Sequence, residues 1–164
     1  MNHDESSLQR CEPHLYTCKY SKETKMESLK VADYMNRRPV KLHIDMPVAE
    51  AVESLLLSKQ TGGPVVNNRN EVVGFLSEQD CLSQMIESSY FREQVCRVGE
   101  IMVAEVLSVK GYDSVLKLAE RMLKEKPKVY PVVDDTGICL GSINRSEVLN
   151  AIDVQLRSGY EKHD

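Results

Sequence analysis

Ser77 and Asp80 are the residues whose types and spacing point most directly to ligand chemistry. An apolar run, Val72–Leu76, precedes them and a helical pattern follows, so Ser77 is predicted where a strand turns into a helix. The first turn of a helix favours phosphate, and a serine hydroxyl can donate one more hydrogen bond there. A carboxylate one turn later can accept from two vicinal hydroxyls. The same spacing also forms a capping box without any ligand, and the two roles are compatible.

The segment that contains these residues occurs twice in the chain. Val31–Gln84 aligns without a gap on Val98–Ala151. Turns, apolar runs and helical faces match in the same order, which indicates a repeat architecture. Such a pair leaves a cleft between two near-equivalent halves, and small ligands bind in clefts of this kind. The matched pairs include Met35/Met102, Val48/Val115, Leu56/Leu123, Lys59/Lys126, Gly74/Gly141 and Leu82/Leu149.

Each repeat predicts a β-α-β-β-α unit after a short helical turn. The first helix has apolar residues at i, i+3, i+4, i+7 and i+8. Asp45 and Pro47 mark its start in the first copy, and Asp113 and Ser114 mark it in the second. Short runs rich in β-branched residues predict the strands. One unit of about 55 residues buries little surface alone, so two are expected to share a core. The predicted turns are Asp33–Met35 and Glu100–Met102, and the strands are Val40–Leu42, Pro64–Val66, Val72–Leu76, Leu107–Val109, Pro131–Val133 and Cys139–Ile143.

Three short motifs recur at constant spacing and together resemble a known family. They are Val31-x-Asp33-x-Met35 with Val98-x-Glu100-x-Met102, Pro64-Val65-Val66 with Pro131-Val132-Val133, and Gly74-Phe75-Leu76-Ser77-x-x-Asp80. In this order and in duplicate, the motifs resemble a tandem pair of CBS domains, the module named after cystathionine β-synthase. The resemblance covers roughly Leu29–Leu156.

The resemblance implies an α/β (α+β) fold, with two β-α-β-β-α repeats packed as a pseudo-twofold pair. CBS pairs bind adenosine-containing ligands, such as AMP, ADP, ATP or S-adenosylmethionine, in the cleft between the repeats. By resemblance, Asp80 would hold the ribose and Ser77 a phosphate oxygen, with the base against the other repeat. The ligand-binding residues that this implies are Phe75, Ser77, Asp80, Met102, Leu107, Lys128 and Val129.

The second copy departs from the family motif. Asn144 stands in place of Thr or Ser, and Glu147 is one methylene longer than Asp. Gly62 and Gly63 lack side chains that would cover a base on that side. We therefore expect two unequal clefts and one nucleotide per chain. The second site would comprise Met35, Val40, Gly62, Gly63, Asn144 and Glu147.

Composition and charge argue against several other classes of protein. A hydrophobic content of 41% and a charged content of 28% are typical of a globular protein. A net charge of −4 argues against a broad nucleic-acid footprint. No apolar stretch approaches the roughly 20 residues that span a bilayer, and the polar first residues predict no signal peptide. Five irregularly spaced cysteines favour reduced thiols and a cytoplasmic location.

We expect a flexible tail at residues 1–25, repeats at 29–88 and 96–156, and a C-terminal tail at 157–164. Met1–Lys25 lacks any apolar period, and Met26 could be the natural start. Cys11, His14 and Cys18 match no standard zinc spacing, so neither a metal nor a required cofactor is expected.

The sequence thus predicts a stand-alone regulatory CBS pair, not an enzyme, since no phosphate loop or catalytic triad occurs in it. It would sense an adenine nucleotide, and so cellular energy, form a homodimer and signal to an unknown regulated protein. The alternative is a nucleotide-free module for dimerisation or docking. The altered second copy favours that alternative, and the intact Ser77/Asp80 motif opposes it.

Overall fold

The computed structural model describes residues 28–91 and 96–160. The predicted tail Met1–Lys25, with Cys11, His14 and Cys18, lies outside these residues. The first repeat comprises α1 (Val31–Tyr34), β1 (Leu42–His43), α2 (Val48–Ser58), β2 (Gly62–Val66), β3 (Val72–Ser77) and α3 (Glu78–Phe91). The second comprises α4 (Val98–Ile101), β4 (Val109–Lys110), α5 (Val115–Lys124), β5 (Val129–Val133), β6 (Cys139–Asn144) and α6 (Arg145–Tyr160). The predicted element order is confirmed, although β1 and β4 begin later than Val40 and Leu107.

Each repeat forms a three-stranded sheet, in the order β1-β2-β3 or β4-β5-β6. The first two strands are parallel and the last two antiparallel, with Gly62 opposite Ser77 and, equivalently, Val129 opposite Asn144. Because side chains alternate along a strand, Phe75 and Ser77 share one face of their sheet and Leu76 lies on the other. This mixed α/β architecture agrees with the predicted fold class.

The two repeats exchange their first helical turns. Val31 N donates to Asp113 O at 3.0 Å, and Val98 N donates to Met46 O at 2.9 Å. As a result, Val31 belongs to the apolar core of the second repeat and Val98 to that of the first. Neither sequence repeat therefore contains a complete core of its own, as expected for units too small to be stable alone.

The long helices present a wider apolar face than the core covers. Val48, Ala51 and Leu55 of α2 are buried. Leu56, on the same predicted stripe, is 69% exposed, and its equivalent Leu123 is 87% exposed. Their neighbours Leu82 and Leu149 on α3 and α6 are also exposed. Helical period alone identifies an apolar face but not how much of it the rest of the chain buries.

Two further observations concern the helices and the cysteines. Helix α6 continues to Tyr160, past Leu156, where the family resemblance ends. Within residues 28–91 and 96–160, no helix is long and apolar enough to cross a membrane. Cys81 and Cys139 are buried free thiols, and burial raises the pKa of both.

Candidate functional site

A cavity of about 570 Å³ opens between the two repeats. This volume falls in the range of about 300–1,000 Å³ that is usual for small-molecule sites. The first repeat contributes Thr61, Phe75, Ser77, Glu78, Gln79 and Asp80 to its lining. The second contributes Val103, Glu105, Val106, Leu107, Lys126, Pro127, Lys128, Val129 and Pro131. The lining thus combines apolar side chains from both repeats with a hydroxyl–carboxylate pair from the first.

Ser77 and Asp80 form a capping box at the start of α3. One oxygen of Asp80, Oδ2, accepts hydrogen bonds from Ser77 N at 2.9 Å and from Ser77 Oγ at 2.6 Å. Asp80 N donates to Ser77 Oγ at 3.2 Å. The second carboxylate oxygen, Oδ1, accepts no hydrogen bond from the part of the chain that the structure describes. The predicted cap is confirmed, and it leaves one oxygen of Asp80 available to a ligand.

The ring of Phe75 is accommodated by a glycine on the neighbouring strand. A Cβ atom on Gly62 would lie 2.8 Å from Cε1 of Phe75 and 2.9 Å from the carbonyl oxygen of Leu76. The sequence assigned Gly62 to the second site, but in the structure it makes room for a residue that lines the first cavity. Phe75 is also tied to the other repeat, since its N–H and carbonyl each bond to Val103 at 2.9 Å.

Met102 is the one residue of the predicted first site that the cavity lining does not include. Its sulfur occupies the space where a Cβ on Gly74 would lie, and its side chain packs against the core of the first repeat. Gly74 and Phe75 are consecutive strand residues, so they face opposite sides of the sheet. The side chain of Met102 thus supports the strand from the core side, while its neighbour Val103 reaches the cavity.

The sequence analysis did not predict several residues that line the cavity. Thr61 lies at the entrance to β2, and its carbonyl accepts from Glu78 N at 2.9 Å, which places it beside the start of α3. Thr61 aligns with Lys128 in the repeat, so the alignment could have identified it. Lys126 and Pro127 directly precede the predicted Lys128. Only this position next to a predicted lining residue could have identified Lys126 and Pro127 from the sequence.

The residues of the predicted second site are engaged with other protein groups. Glu147 Oε2 accepts from Asn144 N at 2.8 Å, and Glu147 N donates to Asn144 Oδ1 at 2.9 Å, so a second capping box is present. Burial raises the pKa of Glu147. Val40 N donates to Gln60 Oε1 at 3.2 Å.

Packing also occupies the glycine and methionine of this second site. A Cβ on Gly63 would collide with the carbonyl of Val40. Met35 packs against Gly141, with its sulfur 3.2 Å from the place of a Cβ there. Among the described residues, no three His, Cys, Asp or Glu side chains are grouped to hold a metal ion.

Comparison with curated proteins identifies relatives of different lengths. Residues 31–87 and 98–154 each match the CBS domain. CBS domain-containing protein CBSX1, chloroplastic, of Arabidopsis thaliana is 29% identical over 157 residues, covering 79% of this chain and 66% of CBSX1. A homoserine O-acetyltransferase of Methanosphaera stadtmanae is 26% identical over 125 residues, covering 76% of this chain. This chain spans only about a quarter of the first curated relatives that it matches, 26% and 24% of their lengths.

Solved structures share the same architecture. CBSX2 in complex with AMP superposes with a TM-score of 0.68 at 27% identity, covering 78% of this chain and 98% of that one. The CBS domain pair of protein MJ0100, in complex with 5'-methylthioadenosine and S-adenosyl-L-methionine, has a TM-score of 0.68 at 20% identity, which shows the fold alone. It covers 77% of this chain and 98% of its own. With two matched repeats and the corresponding fold, the chain belongs to the CBS domain family.

Proposed function

We propose that this protein is a regulatory CBS pair that binds an adenosine-containing ligand in the cavity between its repeats. The class of ligand comprises AMP, ADP, ATP and S-adenosylmethionine. The observation that carries the proposal is the Ser77–Asp80 box, which borders a cavity of about 570 Å³ and has a free carboxylate oxygen. CBSX2, at 27% identity, was crystallised with AMP, which supports the same ligand class.

Each part of an adenosine ligand has a chemical counterpart in the lining. The carboxylate of Asp80 would accept hydrogen bonds from the ribose hydroxyls, because it can take two donors at once. The N–H groups of the first turn of α3 would hold a phosphate oxygen. The hydroxyl of Ser77, which donates to Asp80 in this structure, would turn to donate to the same oxygen. Phe75, Leu107 and Val129 would pack against the faces of the base, since apolar walls with few polar groups suit a planar ring.

Regulation would follow from the ligand bridging two repeats. Asp80 and Val129 lie on different repeats, so a ligand that contacts both would favour one relative position of the two halves. The resulting effect on a regulated partner cannot exceed the difference in ligand affinity between the two arrangements. We infer a binding role rather than catalysis, in a reducing cytoplasm that suits the free thiols Cys81, Cys96 and Cys139.

We further propose that a second copy of the chain covers the exposed helical faces. Leu56 and Leu82 of the first repeat are 69% and 60% exposed, and the equivalent Leu123 and Leu149 are 87% and 69% exposed. Because both repeats present the same apolar pair, a twofold partner would bury matching surfaces. Leu82→Glu combined with Leu149→Glu should convert a dimer to a monomer in light scattering. A wild-type monomer would contradict this proposal.

The proposed ligand class is tested by thermal unfolding with AMP, ADP, ATP, S-adenosylmethionine and NAD. A ligand present at 100 times its dissociation constant should stabilise the chain by about 2.7 kcal/mol. The stabilisation should fall to about 1.4 kcal/mol or less in Asp80→Ala at the same ligand concentration, because a tenfold loss of affinity leaves the ligand at 10 times its dissociation constant. If no adenosine compound stabilises the wild type while the protein is dimeric, the chain is instead a nucleotide-free dimerisation module.

A further inference from the structure

A second cavity, of about 480 Å³, lies where the segment before α1 crosses the loop between β4 and α5. It shares no lining residue with the cavity between the repeats. Lys30 is held at this cavity by its backbone neighbours: Val31 N donates to Asp113 O at 3.0 Å, and Val115 N donates to Leu29 O at 2.9 Å. The cavity therefore joins the first repeat to the second at a fixed crossing of the chain.

Three cationic side chains line this second cavity: Lys30, Lys117 and Arg121. Asp113 is the one acidic residue in the lining, and its carboxylate already accepts from Lys110 N at 2.8 Å. Within residues 28–91 and 96–160, the ammonium groups of Lys30 and Lys117 have no hydrogen-bond or ion-pair partner. Two unpaired cations therefore face one cavity in a chain whose net charge is −4.

Arg121 is oriented by its own contacts. Its Nε lies 3.4 Å from Glu125 Oε1, and its guanidinium carbon lies 5.4 Å from the ring centroid of Tyr130. Tyr130 is fully buried, and its hydroxyl donates to Glu125 Oε2 at 2.7 Å. These contacts use one side of the guanidinium and leave its terminal nitrogens without a partner in the described residues. A guanidinium held in this way can bind an oxyanion through two parallel hydrogen bonds.

The repeat alignment provides an internal control for this cluster. Lys117 aligns with Glu50 of the first repeat, and Arg121 aligns with Ser54. The cations are therefore not required by the fold, because the first repeat forms the same helix with an acidic residue and a hydroxyl. Their presence in the second repeat alone gives one side of the pair a local positive potential, which attracts anions.

We propose that this cavity binds a small multivalent oxyanion, of the phosphate or diphosphate class, independently of the ligand between the repeats. Lys30 would contribute charge from the first repeat, and Lys117 and Arg121 from the second. The buried Val109 and Leu118, which also line the cavity, would strengthen these contacts by excluding water from one side. Because the cations belong to both repeats, the anion would bridge them at a second point.

Calorimetric titration of the full chain with inorganic pyrophosphate at constant ionic strength tests this proposal. Saturable binding is expected in the wild type, and the double variant Lys30→Gln/Lys117→Gln should bind at least tenfold more weakly. Lys124→Gln is the matched control, because this residue lies on the same helix but does not line the cavity. Its affinity for pyrophosphate should equal that of the wild type.

Three results would overturn the proposal. The first is the absence of saturable binding, and the second is an equal loss of affinity in Lys124→Gln, which would indicate general charge attraction. The third is a loss in Lys128→Gln but not in the double variant, which would mean that pyrophosphate enters the cavity between the repeats. Circular dichroism of each variant confirms that the measured change is not loss of the fold.

Discussion

The two clefts of this pair are built from equivalent positions but are filled differently. In the second repeat, Tyr130 is fully buried beneath the sheet, and Leu107 is 43% exposed and lines the first cavity. In the first repeat, the equivalent of Tyr130 is Gly63, and the carbonyl of Val40, the equivalent of Leu107, occupies the space beside it. In the second repeat, Tyr130 thus accompanies Leu107, whose side chain lines the first cavity. In the first repeat, Gly63 accompanies Val40, whose side chain packs against the core.

The two helix caps, by contrast, are nearly alike. Backbone N–H groups donate to the carboxylates of Asp80 and Glu147 at 2.9 and 2.8 Å. Capping is therefore a structural role that both copies retain, whatever they bind. The difference between the clefts lies around the caps, where Phe75 of the first cavity aligns with the buried Ser142. A capping motif identifies the start of a helix, and its surroundings determine whether a ligand can use it.

Removing the side chain of Tyr130 should have the largest effect. Tyr130→Ala should lower the free energy of unfolding by about 3–5 kcal/mol, because truncation of a buried aromatic residue leaves a cavity in the core. Tyr112→Ala is the control, since Tyr112 is 61% exposed, and it should cost less than about 0.5 kcal/mol. Urea unfolding measures both. Equal costs would show that Tyr130 does not support the second repeat.

Adding one carbon at Gly63 should have the next largest effect. The new Cβ in Gly63→Ala collides with the carbonyl of Val40, so the free energy of unfolding should fall by about 1–3 kcal/mol, as in other overpacked cores. A Cβ on Gly111 would meet its nearest neighbour at 3.3 Å, and Gly111→Ala should cost less. If Gly63→Ala is tolerated as well as Gly111→Ala, the packing of Val40 against Gly63 does not close the second cleft.

The paired cap variants Asp80→Ala and Glu147→Ala separate ligand binding from capping. Each removes one cap acceptor, so each should cost about 1 kcal/mol of stability. Only Asp80→Ala should weaken AMP binding, by at least tenfold or about 1.4 kcal/mol. Isothermal titration calorimetry of both folded variants measures their affinities for AMP. Equal affinities for AMP would remove Asp80 from the site, and a loss in Glu147→Ala alone would move the site to the other cleft.

Glu147→Gln should have the smallest effect. Burial raises the pKa of Glu147 in the folded chain, so its charged form opposes folding above that pKa, and the penalty disappears as the pH falls below the pKa of the unfolded chain. Glutamine keeps an acceptor for Asn144 N without the charge. The variant should therefore gain stability relative to the wild type at pH 7 and lose this gain near pH 4. Glu120→Gln, at an exposed position, should show no such trend in urea unfolding.

The architecture and most of the first cavity could be predicted from the sequence. The Pro-Val-Val strands and the glycine that follows each one repeat at constant spacing, and identical spacing requires identical sheet register. The capping boxes follow from local rules that need no tertiary information. The family resemblance predicts Phe75, Ser77 and Val129 as lining residues. Phe75 and Ser77 lie within the Gly74–Asp80 motif, and Val129 lies just before the Pro131-Val132-Val133 motif.

The remaining features depend on contacts that periodicity does not report. Val31 packs into the core of the second repeat. The apolar pattern of the sequence predicts that Val31 is buried, but it does not predict which repeat buries it. The side chain of Met102 fills the space beside Gly74 on the core side of the sheet, a contact that the sequence pattern does not report. Leu56 and Leu123 have the spacing of core residues, and a sequence does not distinguish a core face from one that a second chain covers.

Calorimetric titration of the wild-type chain with AMP tests the central claim most directly, because its stoichiometry counts the clefts that bind ligand. We expect one AMP per chain at saturation, bound in the first cavity, which both Asp80 and Val129 line. Two equivalent AMP molecules per chain would contradict it, because the contacts of Val40 with Gly63 and Gln60 should close the second cleft.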